Sequence, residues 1–306
     1  MKALSMQNTA KMVRRNIALY VLLLPALVYI AIFSYWPMYG VQIAFRDFTF
    51  SNGIVGSEWV GNKWFSFFFR SPMFLTVVKN TLVLSIYGLV AGFPMPVVLA
   101  LMLNNVPNVR FRRLAQTVTY LPHFISTVVV VAMLSCFFSK SSGFISRAIE
   151  QVTGFSDYYM ARPQYFRHMY VWSGIWQNLG WNSIIYMAAL TGISPELHEA
   201  AMIDGASRMQ RIWHVELPGI MPTMVILLIM NTGSIMSVGY EKVYLMQNSL
   251  NTSVSEVIAT YTYKMGLISQ KYSYSAAIGL FNNVINFTML TIVNGVARKL
   301  SDTSLW

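Results

Sequence analysis

Six apolar runs, at residues 17–36, 74–103, 115–138, 169–193, 219–240 and 274–296, leave this chain few ways to fold. Each is close to or above the roughly 20 residues that carry a helix across a bilayer. In hydrocarbon every backbone N–H and C=O must find a partner inside the protein, so only helices and closed barrels span. Runs this long point to helices. The expected fold is all-α, a polytopic membrane protein with six transmembrane helices. Composition points the same way. The chain is 55% hydrophobic and 11% charged, where a soluble domain carries roughly 25% charged residues. Its mean hydropathy is +0.49.

Charge and cysteine remove further classes. The net charge of +11 comes from basic residues spread among the loops, which suits anionic lipid headgroups and not nucleic acid. The single cysteine, Cys136, lies inside an apolar run and supports no disulfide framework. It reads as a buried, inert thiol.

The chain divides into a first span with its flanking segments, residues 1–72, a core of five further spans, 73–297, and a tail, 298–306. Lys2, Lys11, Arg14 and Arg15 precede the first run without an acid. That run is too long for a signal peptide and ends on Tyr35-Trp36-Pro37, an interfacial aromatic cluster. Residues 38–72 read as an external loop. Residues 104–113, with Arg110, Arg112 and Arg113 and no acid, read as cytoplasmic. In the second span Gly88 and Gly92 allow close helix contact, while Pro94 and Pro96 favour a kink or break. Residues 145–152 read as a helix on the outer surface, and 255–266 as a helical segment that re-enters or lies along it.

The longest polar stretch with local structure is 194–218, SPELHEAAMIDGASRMQRIWHVELP. Ser194-Pro195 starts a helix, with a hydroxyl cap followed by a residue whose missing N–H would be unpaired anyway. Gly205 ends it by tolerating the left-handed conformation. Ser207 with Gln210 forms a capping box that starts a second helix. Two short helices joined at a glycine between two spans suggest a docking knob.

Glu199-Ala200-Ala201, then Gly205 after three more residues, then Leu217-Pro218, resemble the EAA loop of ABC-importer permeases. Val215 stands where that pattern has Ile. An ordinary amphipathic loop accounts for the polarity but not for all matched positions together. Ile203-Asp204-Gly205-Ala206 is similar to the version in sugar permeases. Further stretches resemble the LplB-like oligosaccharide or polysaccharide group: Tyr35-Trp36-Pro37-Met38-Tyr39-Gly40, Asn80-Thr81-Leu82, Tyr120-Leu121-Pro122-His123-Phe124, Thr260-Tyr261-Thr262-Tyr263-Lys264 and Thr303-Ser304-Leu305-Trp306. The resemblance implies a type I ABC importer permease fold (MetI-like) in a bacterial inner membrane, with both termini and the 194–218 loop cytoplasmic. It implies a heterodimer with a second related permease, two cytoplasmic ATP-binding subunits and an external sugar-binding protein. ATP and magnesium sit on the ATPase, and this chain binds no cofactor. The residues implied to meet the ATPase are Glu199, Ala200, Ala201, Asp204, Gly205, Ala206, Leu217 and Pro218.

Other chemistry lacks its residues. No GxxxxGK[ST] phosphate loop occurs. His123, His168, His198 and His214 show no metal-ligand spacing. No acid lies in the middle of an expected span, which argues against proton- or sodium-coupled transport. Neutral polar residues do lie in the spans. Amides and hydroxyls suit sugar hydroxyls, and aromatic faces suit the C–H faces of sugar rings. Asn178, Trp181, Asn182, Tyr186, Asn231, Ser234 and Ser237 are the expected substrate path, since the fourth and fifth spans line the path in the family. Bonding between neighbouring helices is the competing use of such side chains. The reading is a permease subunit of an oligosaccharide importer. The alternatives are a permease of the same fold for another solute, a secondary carrier, and an intramembrane enzyme.

Overall fold

The computed structural model describes residues 15–300. The expected basic tail through Arg14 and the closing 303–306 stretch lie outside them. Eight helices organise the chain: α1 Ile17–Phe45, α2 Met73–Asn104, α3 Val109–Phe124, α4 Thr127–Phe137, α5 Pro163–Thr191, α6 Pro195–Ile203, α7 Arg208–Gly233 and α8 Tyr272–Lys299. Among the described residues, strand is confined to Arg46–Asp47 pairing antiparallel with Glu58–Trp59.

The helices depart from the expected spans where local chemistry extends or breaks them. α1 runs beyond the expected end at 36, through a π-turn at Ala31–Tyr35 and a tighter 3-10 stretch at Trp36–Phe45. None of its residues between Ile17 and Tyr35 is buried, and Leu22 is 77% exposed. Lipid tails are as apolar as leucine, so such a helix suits a bilayer. α2 stays helical through Phe93 (φ −67°, ψ −44°), so Pro94 and Pro96 do not end it. The third expected span is broken: α3 and α4 meet at a 98° bend. Pro122 lies in the last turn of α3, Ile125 is extended, and the Ser126 hydroxyl caps a new helix by accepting from Val129 N at 3.4 Å. α3 also starts inside the expected loop, because Asn108 Oδ1 accepts from Arg110 N and Phe111 N. α7 ends at Gly233, and a separate helix follows at Tyr240–Met246.

Among the described residues α1, α2, α7 and α8 are long and apolar enough to cross a membrane, and the bent α3–α4 pair makes a fifth. The fourth expected span, α5, has the length, 29 residues, but falls short in apolarity. Its position explains this. α5 packs against α2, α3, α7 and the Tyr240–Met246 helix, so protein and not lipid solvates much of its surface. The crossing with α3 is close: a Cβ on Gly180 would lie 2.2 Å from the Thr119 carbonyl oxygen.

Three apolar clusters hold the bundle. One gathers Phe68, Val77, Ile258 and Tyr274, the second Leu84, Phe166, Val171, Val243 and Val257, and the third Val97, Ala100, Tyr186, Leu190 and Ile220. The 255–266 segment is buried between helices and does not lie along an outer surface. Asn80 Nδ2 donates to the carbonyls of Ser253 and Glu256, and Thr81 Oγ1 accepts from Ile258 N at 2.9 Å. These long-range bonds satisfy backbone groups that no helix ladder reaches. A helix forms at Phe144–Thr153, covering the expected 145–152 segment. Cys136 is exposed on α4, correcting the expectation of a buried thiol.

Candidate functional site

The 194–218 loop is built by local caps. Ser194 Oγ accepts from Glu196 N at 3.3 Å, opening α6. Gly205, at φ +78°, closes it. Gly205 N donates to the Met202 carbonyl at 3.1 Å and Ala206 N to the Ala201 carbonyl at 2.8 Å. These two bonds are the Schellman closure that a left-handed residue makes available. Ser207 and Gln210 then form the expected reciprocal capping box and start α7. The second short helix does not end before the membrane run. It continues through a π-turn at Ile212–Glu216 into the apolar part of α7. Pro218 lacks an N–H for the carbonyl one turn back, and a π-turn accommodates such a gap.

On this scaffold Glu199, Ala200, Asp204 and Pro218 are exposed, while Ala201 and Ala206 are half-buried under the turn. Leu217 packs on the third apolar cluster. The same loop carries Leu197, Met202, Ile203, Met209 and Trp213, all more than half exposed. An apolar surface with a free carboxylate, held rigid by caps, is suited to docking another protein.

One residue in this loop escaped the sequence reading. Glu216 is 3% exposed. Its carboxylate accepts from Asn105 Nδ2 at 2.8 and 3.0 Å and from Asn104 Nδ2 at 3.3 Å. The loop is therefore tied to the end of α2. The signal was an acid beside Leu217-Pro218 in an otherwise apolar run, but its partners lie more than 100 positions away.

A cavity of about 630 Å³ opens between α2, α5 and α7, within the roughly 300–1,000 Å³ typical of ligand sites. α5 supplies one wall through Tyr170, Gly174, Asn178, Asn182 and Tyr186. These are spaced by four, so they share one helix face. Gly88 and Gly92 of α2 line the cavity as well, Gly92 against Ile175 of α5, where a Cβ would lie 3.6 Å from its side chain. A Cβ on Gly88 would meet nothing within 4 Å, so within this chain Gly88 makes no close helix contact. Asn231, Ser234 and Ser237 reach the cavity from the end of α7 and the turn after it.

The expected path residues differ in how free they are. Asn178 is engaged, with Oδ1 3.0 Å from His123 Nδ1 and Nδ2 donating to the Gly174 carbonyl. Trp181 lies outside the cavity wall and stacks on the His123 ring at 4.4 Å and 7°. Asn231 Nδ2 donates back to the Leu227 carbonyl, and Ser234 Oγ to the Asn231 carbonyl. Ser237 Oγ accepts from Asn286, whose Oδ1 also receives Met236 N. Asn182 is exposed to the cavity, and no hydrogen bond engages its amide among the described residues. Tyr170, Gln177 and Lys242 line the cavity as well and were missed, because no local pattern marks which face of a helix a cavity takes.

A cavity with polar groups inside an apolar helical bundle, packed against a capped polar loop, is an arrangement that suits the membrane subunit of a transport system. The family described as "Binding-protein-dependent transport system inner membrane component" matches residues 92–302. The chain belongs to that family. It is 42% identical to Protein LplB of Bacillus subtilis (strain 168) over 96% of this chain and 92% of that protein. It is 39% identical to the polygalacturonan/rhamnogalacturonan transport system permease protein YteP of the same organism, over 94% and 90%. Among solved structures it resembles a chain of a bacterial ABC transporter involved in import of the acidic polysaccharide alginate. That likeness has a TM-score of 0.88 and 37% identity, and covers 96% of this chain and 99% of the other.

Proposed function

We propose that this chain forms half of the translocation path of an ATP-driven importer for oligosaccharides or polysaccharides. A second, related permease completes the path, two ATP-binding subunits dock on the 194–218 loops, and an external binding protein delivers the saccharide. The observation that carries this reading is the link between loop and cavity. Glu216 ties the loop to α2, and Leu217 and Ile220 pack with Tyr186 and Leu190 of α5. Packed contacts of this kind move as blocks and do not deform continuously. When the ATPase dimer closes, the loops of both permeases are drawn together and the cavity turns outward. ATP hydrolysis, carried out by the partner subunits, resets it. The loop and both termini then lie on the cytoplasmic side. Residues 199–206 with Leu217 and Pro218 form the docking knob, and Asn182 and Tyr186 are the wall positions of the substrate path.

The saccharide class is supported by the relatives' named substrates, by neutral amides and hydroxyls in the cavity, and by the aromatic Tyr170 and Tyr186 beside them. The test is reconstitution of both permeases, the ATPase and the binding protein in vesicles. Uptake of a labelled oligosaccharide should require ATP and the binding protein. Uptake that persists without the ATPase would replace this reading with a secondary carrier.

A further inference from the structure

We propose that a second cavity, between the Phe144–Thr153 helix and the start of α5, holds one acyl chain of an anionic phospholipid. This site is independent of which solute the chain carries. The cavity is about 410 Å³ and shares no wall residue with the one between α2, α5 and α7. Its apolar wall is Phe138 just past α4, Ile149 of the helix, Phe155 and Tyr159 of the connector, and Tyr165 and Met169 of α5. Thr153 and His168 complete it, and both are engaged: Thr153 Oγ1 donates to the Ile149 carbonyl at 2.7 Å, and His168 Nδ1 lies 2.9 Å from the Tyr87 hydroxyl. Tyr159 differs. It is 6% exposed, and its buried hydroxyl has no partner among the described residues.

A buried donor left unpaired is costly. A ligand that is carbon over most of its length, with an acceptor near one end, would pair it. The acyl chain and ester carbonyl of a phospholipid have that form. A saccharide does not, since its hydroxyls would be buried against carbon. The surroundings place a bilayer at this cavity. Tyr165 and Met169 lie in the first two turns of α5, and the 194–218 loop follows its other end, so the cavity sits towards the opposite membrane face. Ile145, Ala148, Ile149 and Val152 share one face of the short helix, with Arg147, Glu150 and Gln151 on the other. A helix so patterned lies along the headgroup boundary. Val152 is 87% exposed, so protein does not cover its apolar side chain. Charge selects the headgroup. Lys140 Nζ lies 4.7 Å from the centre of the Tyr158 ring, next in sequence to Tyr159, and Arg147 donates to the Ser142 carbonyl. Arg162 is paired with Asp157, but neither Lys140 nor Arg147 has an ion-pair partner among the described residues. Two unpaired cations beside the cavity suit an anionic headgroup.

Lipid binding to the full complex of both permeases and the ATPase, stripped of lipid in detergent, tests the site. The probes are phosphatidylglycerol, phosphatidylcholine and a neutral pentasaccharide, and native mass spectrometry counts what stays bound. Wild type should hold phosphatidylglycerol several-fold more tightly than phosphatidylcholine, and Lys140→Gln should bring the two within about twofold. Tyr159→Phe should weaken phosphatidylglycerol binding about threefold to tenfold, the scale of one hydrogen bond. Thr153→Trp fills the cavity from an exposed position and should remove one tightly held lipid. If that variant does not assemble, the conservative Tyr159→Phe decides. A lipid count unchanged in Thr153→Trp, or affinity unchanged in Tyr159→Phe, would overturn the site. So would displacement of the lipid by the pentasaccharide. Binding to this chain alone but not to the complex would also overturn it, by making the cavity a contact for a partner subunit.

Discussion

Gly205 and Glu216 hold the two ends of one loop by different physics. Gly205 is conformational: its φ of +78° disfavours any side chain, though a Cβ there would meet nothing within 4 Å. Strain in the left-handed region costs about 1–2 kcal/mol for an ordinary residue and less for Asn. Gly205→Val is therefore expected to abolish saccharide uptake at normal membrane levels, while Gly205→Asn keeps much of it. Equal uptake by both variants would show that the turn geometry is irrelevant to docking. Glu216 is electrostatic and buried. Glu216→Gln keeps the shape but turns an amide N–H₂ towards Asn104 and Asn105, which already donate. An unmatched buried polar group costs about 1–3 kcal/mol. The expected outcome is uncoupling, with ATP turnover in the assembled complex retained and uptake per ATP reduced several-fold. Parallel loss of turnover and uptake would instead make Glu216 a docking residue. Glu216→Ala, which removes the clamp without adding a donor, should behave alike.

At the scale of elements, α5 carries the cavity wall and its polarity follows from that position. A helix surrounded by protein can place amides on one face where a lipid-facing helix cannot. The spacing of Asn178, Asn182 and Tyr186 sets one face, but their neighbours set what each can do. Asn178 is held by His123 and Gly174, whereas Asn182 is open to the cavity. Asn182→Ala should therefore weaken oligosaccharide binding by about 0.5–1.5 kcal/mol. Asn178→Ala should act mainly on stability, by releasing His123 from its partner. Binding isotherms beside detergent melting curves separate the two, and the reverse ranking would move the path off this wall.

On the scale of the whole molecule, the described chain leaves α1 exposed along its apolar length and the apolar side chains of the 194–218 loop uncovered. Both surfaces await bilayer or partner subunits. The chain purified alone is expected to turn over no ATP and to gain detergent stability when the second permease is co-expressed. ATP hydrolysis by the isolated chain would contradict the proposed assignment of turnover to partner subunits.

The fold class, the membrane setting and the loop were legible in the sequence because each depends on neighbours along the chain. Spans need only an apolar run. The caps at Ser194, Gly205 and Ser207 bond within about six positions, so residue type and spacing suffice to read them. The bend between α3 and α4 was less legible, since Pro122 and Ser126 sit in a run long enough to read as one continuous span. Tertiary structure alone decided that Glu216 meets Asn104 and Asn105, that Trp181 turns to His123, and that Lys242 faces the cavity without a carboxylate. Each joins residues from different helices, and which faces meet is fixed by the packing of the bundle, as where Gly180 lets α5 approach α3. No local pattern encodes that packing, so the candidate path could be listed by residue type but not sorted into groups held by the fold and groups left open to a ligand.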